Sequence, residues 1–408
     1  MSNQGSSRAL LAAGLLLCGL PIAAQERFLP SAATVVLASS VHASGATAGS
    51  LRALDQAWRA QPQDLSAAVA YARAVFTLGF SEGDLRWFGS AKAAMAPWWQ
   101  AKELTADGFF MRGLVKQGFH DFAGGLQDIQ QAIGLQAQRA EFWSWRFALH
   151  LLLADMRAAE QDAQEIDRLF GPAEAQIYRA VLHYRTGQAS AAVKLLRESM
   201  RAAEHQGASS QVWIGFHLGE ALRVAAQPEQ AINVWQQSLQ AQPKAHLLRL
   251  SLAELLNQQG RFKEAKAVAT GPANKATSSL TDALLVQALL ASRGLKSADE
   301  TLLAGQMQAR LQSQALRQEA LIERPKLIYQ IAYGHDMAAG LALSVENWQL
   351  QKEPPDALLF AQAALALKQA RVAEPVVNWA QATGYTEPAL RELIGQLTAH
   401  PSWSKEGP

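Results

Sequence analysis

Residues 213–265 read WIGFHLGEALRVAAQPEQAINVWQQSLQAQPKAHLLRLSLAELLNQQGRFKEA, and one pattern occurs in them twice. In the first copy Leu218 and Gly219 are followed by Leu222, Ala231, Trp235 and Ser238, and the copy closes at Pro243. In the second, Leu252 and Ala253 are followed by Leu256, Gly260, Phe262 and Ala265. A shift of 34 residues places Leu218 on Leu252, Gly219 on Ala253, Leu222 on Leu256 and Ala231 on Ala265. Apolar residues at intervals of three and four share one helix face, so each copy opens with an amphipathic helix. Gly219 and Ala253 are small where that helix must approach a second one, and Ala231 and Ala265 are the small residues facing them. Gly260 suits a helix C-terminus, where a left-handed residue ends the helix at no steric cost. Pro243 blocks helix continuation where a unit finishes.

This period and these positions resemble the tetratricopeptide (TPR) repeat, a helix–turn–helix unit. The resemblance implies an all-α fold, a right-handed α-α superhelix of roughly eight helix pairs. A single unit leaves an apolar face uncovered, so several must stack to close a core.

The pattern extends outward on both sides. Toward the N-terminus, Asp64 is placed to cap a helix carrying Tyr71, Val75 and Leu78, with Trp87, Phe88, Ala91 and Met95 on its partner. Gly113, Phe122, Gly125 and Ala132 fill the small and aromatic slots of the next unit. Gly124 and Gly125 inside a helix cost about 1 kcal/mol each relative to alanine, which points to tight helix contact. A diverged unit runs over 142–169, and a clear one follows with Ala180, Gly187, Ala192 and Ser199. Past residue 271 the spacing loosens, and 301–322 reads as one long helix. The expected organisation is a leader over 1–24, a Ser/Ala-rich linker over 25–49, TPR-like repeats over 50–270, diverged repeats with a cap over 271–400, and a flexible tail over 401–408. The Ala96-Pro97-Trp98-Trp99 run and the stretch from Asn347 to Pro354 are similar to those of a group of exported bacterial TPR proteins. Some of that group accompany small membrane proteins, which implies a possible association with a membrane protein here.

Residues 1–24 have the layout of a secretory signal peptide: Arg8, an apolar run from Ala9 to Leu20, then a small-residue zone ending at Ala24. The apolar run is shorter than the ~20 residues of a spanning helix. The expectation is export to the periplasm or beyond after cleavage near Ala24. Lipoprotein processing at Cys18 is the rival, disfavoured by Leu17. Cys18 is the single cysteine, so a cleaved chain has no disulfide or thiolate site.

Apolar content of 49% is ample for a core, and a net charge of +2 gives no basis for nucleic acid as a partner. The nine histidines include no His-Glu-x-x-His motif. No nucleophile elbow or phosphate loop occurs. Gly118 to Asp121 and Gly334 to Asp336 place a histidine beside an aspartate, but both fall where the repeat demands a turn. Asp162 with Glu165, and Asp299 with Glu300, are expected on solvated faces. Trp143 and Trp145 lie two apart, so one is expected in the core and the other exposed or lining a groove. No catalytic residue, metal site or cofactor is expected, and the chain is read as not an enzyme.

A helix-pair superhelix lines its concave wall with the first helix of each unit. The repeat frame leaves Tyr178, Tyr184, Arg185, Trp213, Phe216, His217, Glu220, Arg223, Glu254, Asn257 and Gln258 facing that wall. An aromatic strip flanked by both charge signs suits an extended peptide or partner helix. Some TPR domains hold a carboxylate in a Lys/Asn clamp, but the corresponding positions here are Ile177, Val181, Phe216 and Glu220. The leading expectation is therefore a periplasmic scaffold binding a protein or peptide partner. The alternatives are a small-molecule or metal-binding accessory to a membrane transporter, to which His183, His217 and His246 would contribute, and an enzyme assembled across repeats around 272–345.

Overall fold

The computed structural model describes residues 17–19, 46–84, 86–203, 208–271, 280–316 and 321–403. A three-residue strand β1 (Leu17–Gly19) precedes the helical body, which opens with α1 (Ala46–Ala60). Helix pairs then follow: α2 (Leu65–Glu82) with α3 (Arg86–Met95), α4 (Ala106–Gly118) with α5 (Phe122–Leu135), and α6 (Ala140–Leu152) with α7 (Met156–Phe170). Next come α8 (Pro172–Arg185) with α9 (Ala189–Ala202), α10 (Ala208–Val224) with α11 (Pro228–Ala241), and α12 (His246–Gln258) with α13 (Phe262–Thr270). After α14 (Asp282–Gly294) and α15 (Glu300–Leu316), strand β2 (Leu321–Glu323) leads into α16 (Arg324–Gln330). The chain ends with α17 (Met337–Leu350), α18 (Pro354–Ala366), α19 (Glu374–Thr383) and α20 (Pro388–Ala399). This is an all-α superhelix of stacked pairs, with β1 and β2 joined in one short antiparallel ladder.

The same local chemistry recurs in each unit. First helices end on a left-handed residue: His120, Ala154, Gly187, Ala226, Gly260, Lys296 and Lys368. The following N–H reaches back five residues, as from Gln227 to Leu222 O (2.8 Å), Arg261 to Leu256 O (2.9 Å) and Gln369 to Ala364 O (2.8 Å). That is the Schellman closure, which satisfies carbonyls the helix would otherwise leave orphaned. Asp64, Asp121 and Asp155 each accept a backbone N–H as N-caps of α2, α5 and α7.

Small residues sit where helices cross. A Cβ at Gly219 would lie 2.0 Å from Trp235 Nε1, so the indole occupies the space a side chain would need. Leu218, Leu222, Ala231, Leu252, Ala253, Leu256 and Ala265 are all buried, while Pro243 is exposed in the turn before α12. Gly113 and Gly125 face each other, each one's Cβ position being within 3.1 Å of the other's carbonyl oxygen. This close crossing of α4 and α5 is the reason for glycine inside a helix.

Three expectations are corrected. Trp143 and Trp145 are both buried, because α6 is packed on two sides; Trp143 Nε1 donates to Ala137 O (2.8 Å), and Trp145 lies against Phe76 and Phe80. Asp162 is fully buried, since Arg146 Nε (2.9 Å) and His150 Nδ1 (2.8 Å) on α6 meet its carboxylate. The helix expected over 301–322 ends at Leu316, and Ile322 lies in β2 opposite Cys18. Glu165, by contrast, pairs on the surface with Arg168, Asp299 pairs with Lys266, and Glu300 accepts from Tyr333. Residues 1–16 and 20–45 of the leader and linker lie outside the described residues, as do 404–408 of the tail; Ser402 accepts the Ala370 N–H at 3.0 Å.

The superhelix winds tightly enough to meet itself. The C-cap glycine of α2, Gly83, lies so near His246 at the start of α12 that a Cβ there would be 2.2 Å from Nε2. The turn after α8 meets the turn after α19: Gly187, at φ +81°, leaves no room for a Cβ, which would be 2.4 Å from Gly384 O. Gly187→Ala combines left-handed strain with this backbone clash, so we expect a loss of roughly 2 kcal/mol in a urea titration. A loss below about 0.5 kcal/mol would mean the two turns are not in contact in solution.

Candidate functional site

The concave wall over the middle of the array is built by α8, α10 and α12. On α8, Tyr178, Tyr184 and Arg185 are buried, and on α10 so are Trp213, Phe216 and His217. Glu220, Arg223, Glu254 and Asn257 are half-buried and Gln258 is exposed. The burial has two causes: Tyr178, Trp213 and His217 pack between neighbouring repeats, whereas the 352–358 segment and the 385–387 turn cover the wall around Arg185 and Arg223.

Arg185, 3% exposed, donates from Nη2 to Glu353 Oε1 at 3.1 Å, and Glu353 is 2% exposed. The Lys352 N–H donates to Leu152 O (2.8 Å), tying the same segment to the end of α6. Arg223 pairs with Glu220 (2.7 Å) on its own helix and with Glu387 beyond α19, whose other oxygen accepts from the Tyr385 hydroxyl (3.0 Å). Arg324, at the start of α16, donates from Nε to Asp356 (2.7 Å), which also accepts from Gln351 Nε2 (2.8 Å). Three guanidinium groups thus cross-link the wall, α16, α18 and the 385–387 turn.

Aromatic residues fill the remainder. The His217 ring meets Trp213 edge to face at 4.0 Å and Phe216 at 4.9 Å, and its Nδ1 lies 2.9 Å from the Tyr184 hydroxyl. Burial pushes the His217 imidazole down to about 3, so it is neutral near pH 7. Burial likewise lowers His246 to about 4, with Arg249 adding to the effect. The Tyr178 hydroxyl lies 2.5 Å from Ser144 Oγ, and Ile177 and Val181 join Trp213 and His217 around a small apolar slot.

Between the wall and the C-terminal segments a cleft of about 80 Å³ remains, open to solvent. It is lined by Tyr184, Arg185, Phe216, Glu220, Arg223, Glu254 and Gln258 from the wall, and by Arg324, Glu353, Leu358 and Tyr385 from the other side. Burial raises the Glu254 carboxyl to about 7, against the attraction of Arg324 and Arg223. Glu254 accepts a long hydrogen bond from Gln287 Nε2 (3.4 Å), and Asn257 Nδ2 donates to the Gln287 side-chain oxygen (2.9 Å). Glu353 is also raised to about 7 by burial, in opposition to Arg185.

Tyr184, Arg185, Phe216, Glu220, Arg223, Glu254 and Gln258 therefore share one cleft, whereas Tyr178, Trp213 and His217 line the apolar slot and Asn257 braces Gln287. The repeat frame missed Arg324, Glu353, Leu358 and Tyr385. The signal was present in α18, Pro354–Ala366, which is apolar nearly all round. Such a helix must be enclosed, so the charges that begin it must find partners. Among the described residues no group of three His, Cys, Asp or Glu side chains could hold a metal ion, so His183, His217 and His246 form no such set. No described helix is long and apolar enough to cross a membrane.

No protein-family model matches the chain, and no curated protein matches it in sequence. Solved structures with a similar layout include a Rap protein complexed with competence and sporulation factor (11% identity, 85% of this chain and 98% of that one, TM-score 0.47). PilW, a type IV pilus biogenesis factor, is similar over 52% of this chain and 96% of its own at 16% identity and a TM-score of 0.40. A tetratricopeptide repeat protein from Parabacteroides merdae covers 72% of this chain and 98% of its own at 11% identity and a TM-score of 0.31. At these scores the functional reading rests on the chain's own residues.

Proposed function

We propose that the chain is a non-catalytic scaffold that binds a protein or peptide partner in the cleft between its concave wall and its C-terminal helices. The observation that carries this reading is the cleft itself: apolar side chains and charges of both signs on a wall of rigid helices. A cleft of that kind engages an extended segment through apolar anchors with polar flanks. Its arginines are held in ion pairs, and burial makes His217, beside the Tyr184 hydroxyl, a weak base, so these groups suit recognition better than proton transfer. The signal-peptide-like layout of residues 1–24 supports an exported compartment for this scaffold.

The test is site-specific photo-cross-linking. A benzophenone amino acid at Ser251, half-buried in the cleft, or at exposed Gln258 is expected to trap a discrete partner from a periplasmic extract. The same probe at Leu135, 57% exposed at the end of α5, is expected to trap none. Equal capture at all three positions would refute the cleft as the binding site.

A further inference from the structure

The concave wall already holds an extended segment, and it is the chain's own. Gln351 and Glu353 both have extended backbone, and Pro354, at the start of α18, keeps Glu353 that way. The Lys352 N–H donates to Leu152 O (2.8 Å), while Arg185 Nη2 reaches the Lys352 carbonyl and the Glu353 carboxylate. Glu387-Pro388 repeats the dipeptide one 34-residue period further on, again at the start of a helix, and gives its carboxylate to Arg223. Arg185 and Arg223 thus each hold the glutamate of a Glu-Pro step.

The hold of Arg185 is a loose one. Its bonds to Glu353 are 3.1 and 3.5 Å long, those to the Leu151 and Lys352 carbonyls are 3.4 Å, and its buried Nε has no hydrogen-bond partner. Arg112, by contrast, grips Asp128 through Nε (2.7 Å) and Nη2 (2.6 Å), the side-on fork and the lengths expected of a charge-assisted pair. The same Nε–Nη2 edge of Arg185 is only half used.

Arg185 lines the cleft together with Glu353, Pro354 and Pro355. At about 80 Å³ the cleft has room for a handful of waters and none for a peptide, so a partner enters only where the chain's own segment leaves. Resting on the partner-binding reading of the cleft, we infer that residues 351–355 are a tethered occupant of the wall and that the partner displaces them with an extended Glu-Pro segment of its own, its carboxylate on the Arg185 guanidinium. A carboxylate free to approach in the plane of the fork makes two parallel bonds, which Glu353, fixed at the head of α18, does not reach. A proline after the partner's glutamate holds it extended before binding and lowers the entropy cost of docking. The tethered segment competes at an effective concentration of about a millimolar, which closes the wall to weak or non-acidic segments.

The test uses the full chain with a fluorescein-labelled peptide of residues 350–357, Leu-Gln-Lys-Glu-Pro-Pro-Asp-Ala, and a control peptide in which glutamine replaces the glutamate. Glu353→Gln, which releases the tether, is expected to bind the first peptide saturably. The natural chain is expected to bind it at least roughly tenfold more weakly, because its site is open in only a fraction of the molecules. The control peptide is expected to bind neither chain, and Arg185→Leu/Glu353→Leu to bind neither peptide. Equal binding of both peptides, or no binding to Glu353→Gln that keeps its helical circular dichroism, overturns the inference. Hydrogen exchange on the natural chain needs no variant: the first peptide at millimolar concentration is expected to speed exchange in α18, and exchange that stays unchanged overturns the inference whether or not Glu353→Gln folds. If cleft cross-links persist while the peptide neither binds nor speeds exchange, the scaffold reading stands and only the Glu-Pro assignment fails.

Discussion

Arg185→Leu is expected to destabilise the protein by about 3–5 kcal/mol, since it leaves the Glu353 carboxyl buried without its counter-ion. Both partners are almost fully enclosed, at 3% and 2% exposure, so solvent does little to screen the loss. The pair joins α8 to the residue preceding α18, and the damage should be regional. Hydrogen exchange is expected to accelerate in α18 and across the 385–387 turn, while α2 to α5, held by their own aromatic core, keep their protection. The double variant Arg185→Leu/Glu353→Leu is expected to recover most of the stability, because replacing both members of a buried pair by apolar groups is often neutral or favourable. A double variant as unstable as the single one would show that the pair's geometry, and not its uncompensated charge, holds the closure together.

Glu254→Gln is expected to act in the opposite direction and to depend on pH. Burial raises the Glu254 carboxyl to about 7 from an ordinary value of 4.5. A carboxyl raised on folding favours the folded state while it is protonated in both states. That contribution is complete below about pH 4.5 and is lost as pH rises through about 7, where folding must carry an ionised group that the unfolded chain solvates freely. Glutamine keeps the shape and cannot ionise. At pH 8 the variant should therefore exceed the natural chain by up to roughly 3 kcal/mol, and at pH 4.5 the two should agree within about 1 kcal/mol. Urea midpoints measured at the two pH values check this. A variant less stable than the natural chain at pH 8 would mean that the attraction of Arg324 and Arg223 outweighs the burial of Glu254. Glu353, also raised to about 7, adds a loss in the same window to both proteins and cancels in the comparison.

The array was legible because its determinants are local. Leu218 with Leu222, Gly219 against Trp235 and the left-handed turn at Gly260 are contacts within one unit or its neighbour. The candidate wall was legible in part for the same reason: the repeat frame placed Tyr184, Phe216, Glu220, Arg223, Glu254 and Gln258 on one side, and they line one cleft. Asp162 was misread as solvated because its partners, Arg146 and His150, lie on the preceding helix, and a period of 3.6 residues carries no information about what packs across. The tryptophan pair at 143 and 145 was misread because facing rules for one helix assume one buried side, and α6 has two.

The sequence by itself determined the unit: a helix pair, its small crossing residues, its turn and its period, each fixed by side-chain spacing and backbone sterics over about 34 residues. Only the tertiary structure decided that the superhelix closes on itself. Closure depends on small rotations accumulated from unit to unit, and no single repeat encodes their sum. It brings Arg185 to Glu353 across 168 positions of chain and Gly187 to Gly384. It also turns a wall expected to face solvent into a cleft shared with Arg324, Glu353 and Tyr385.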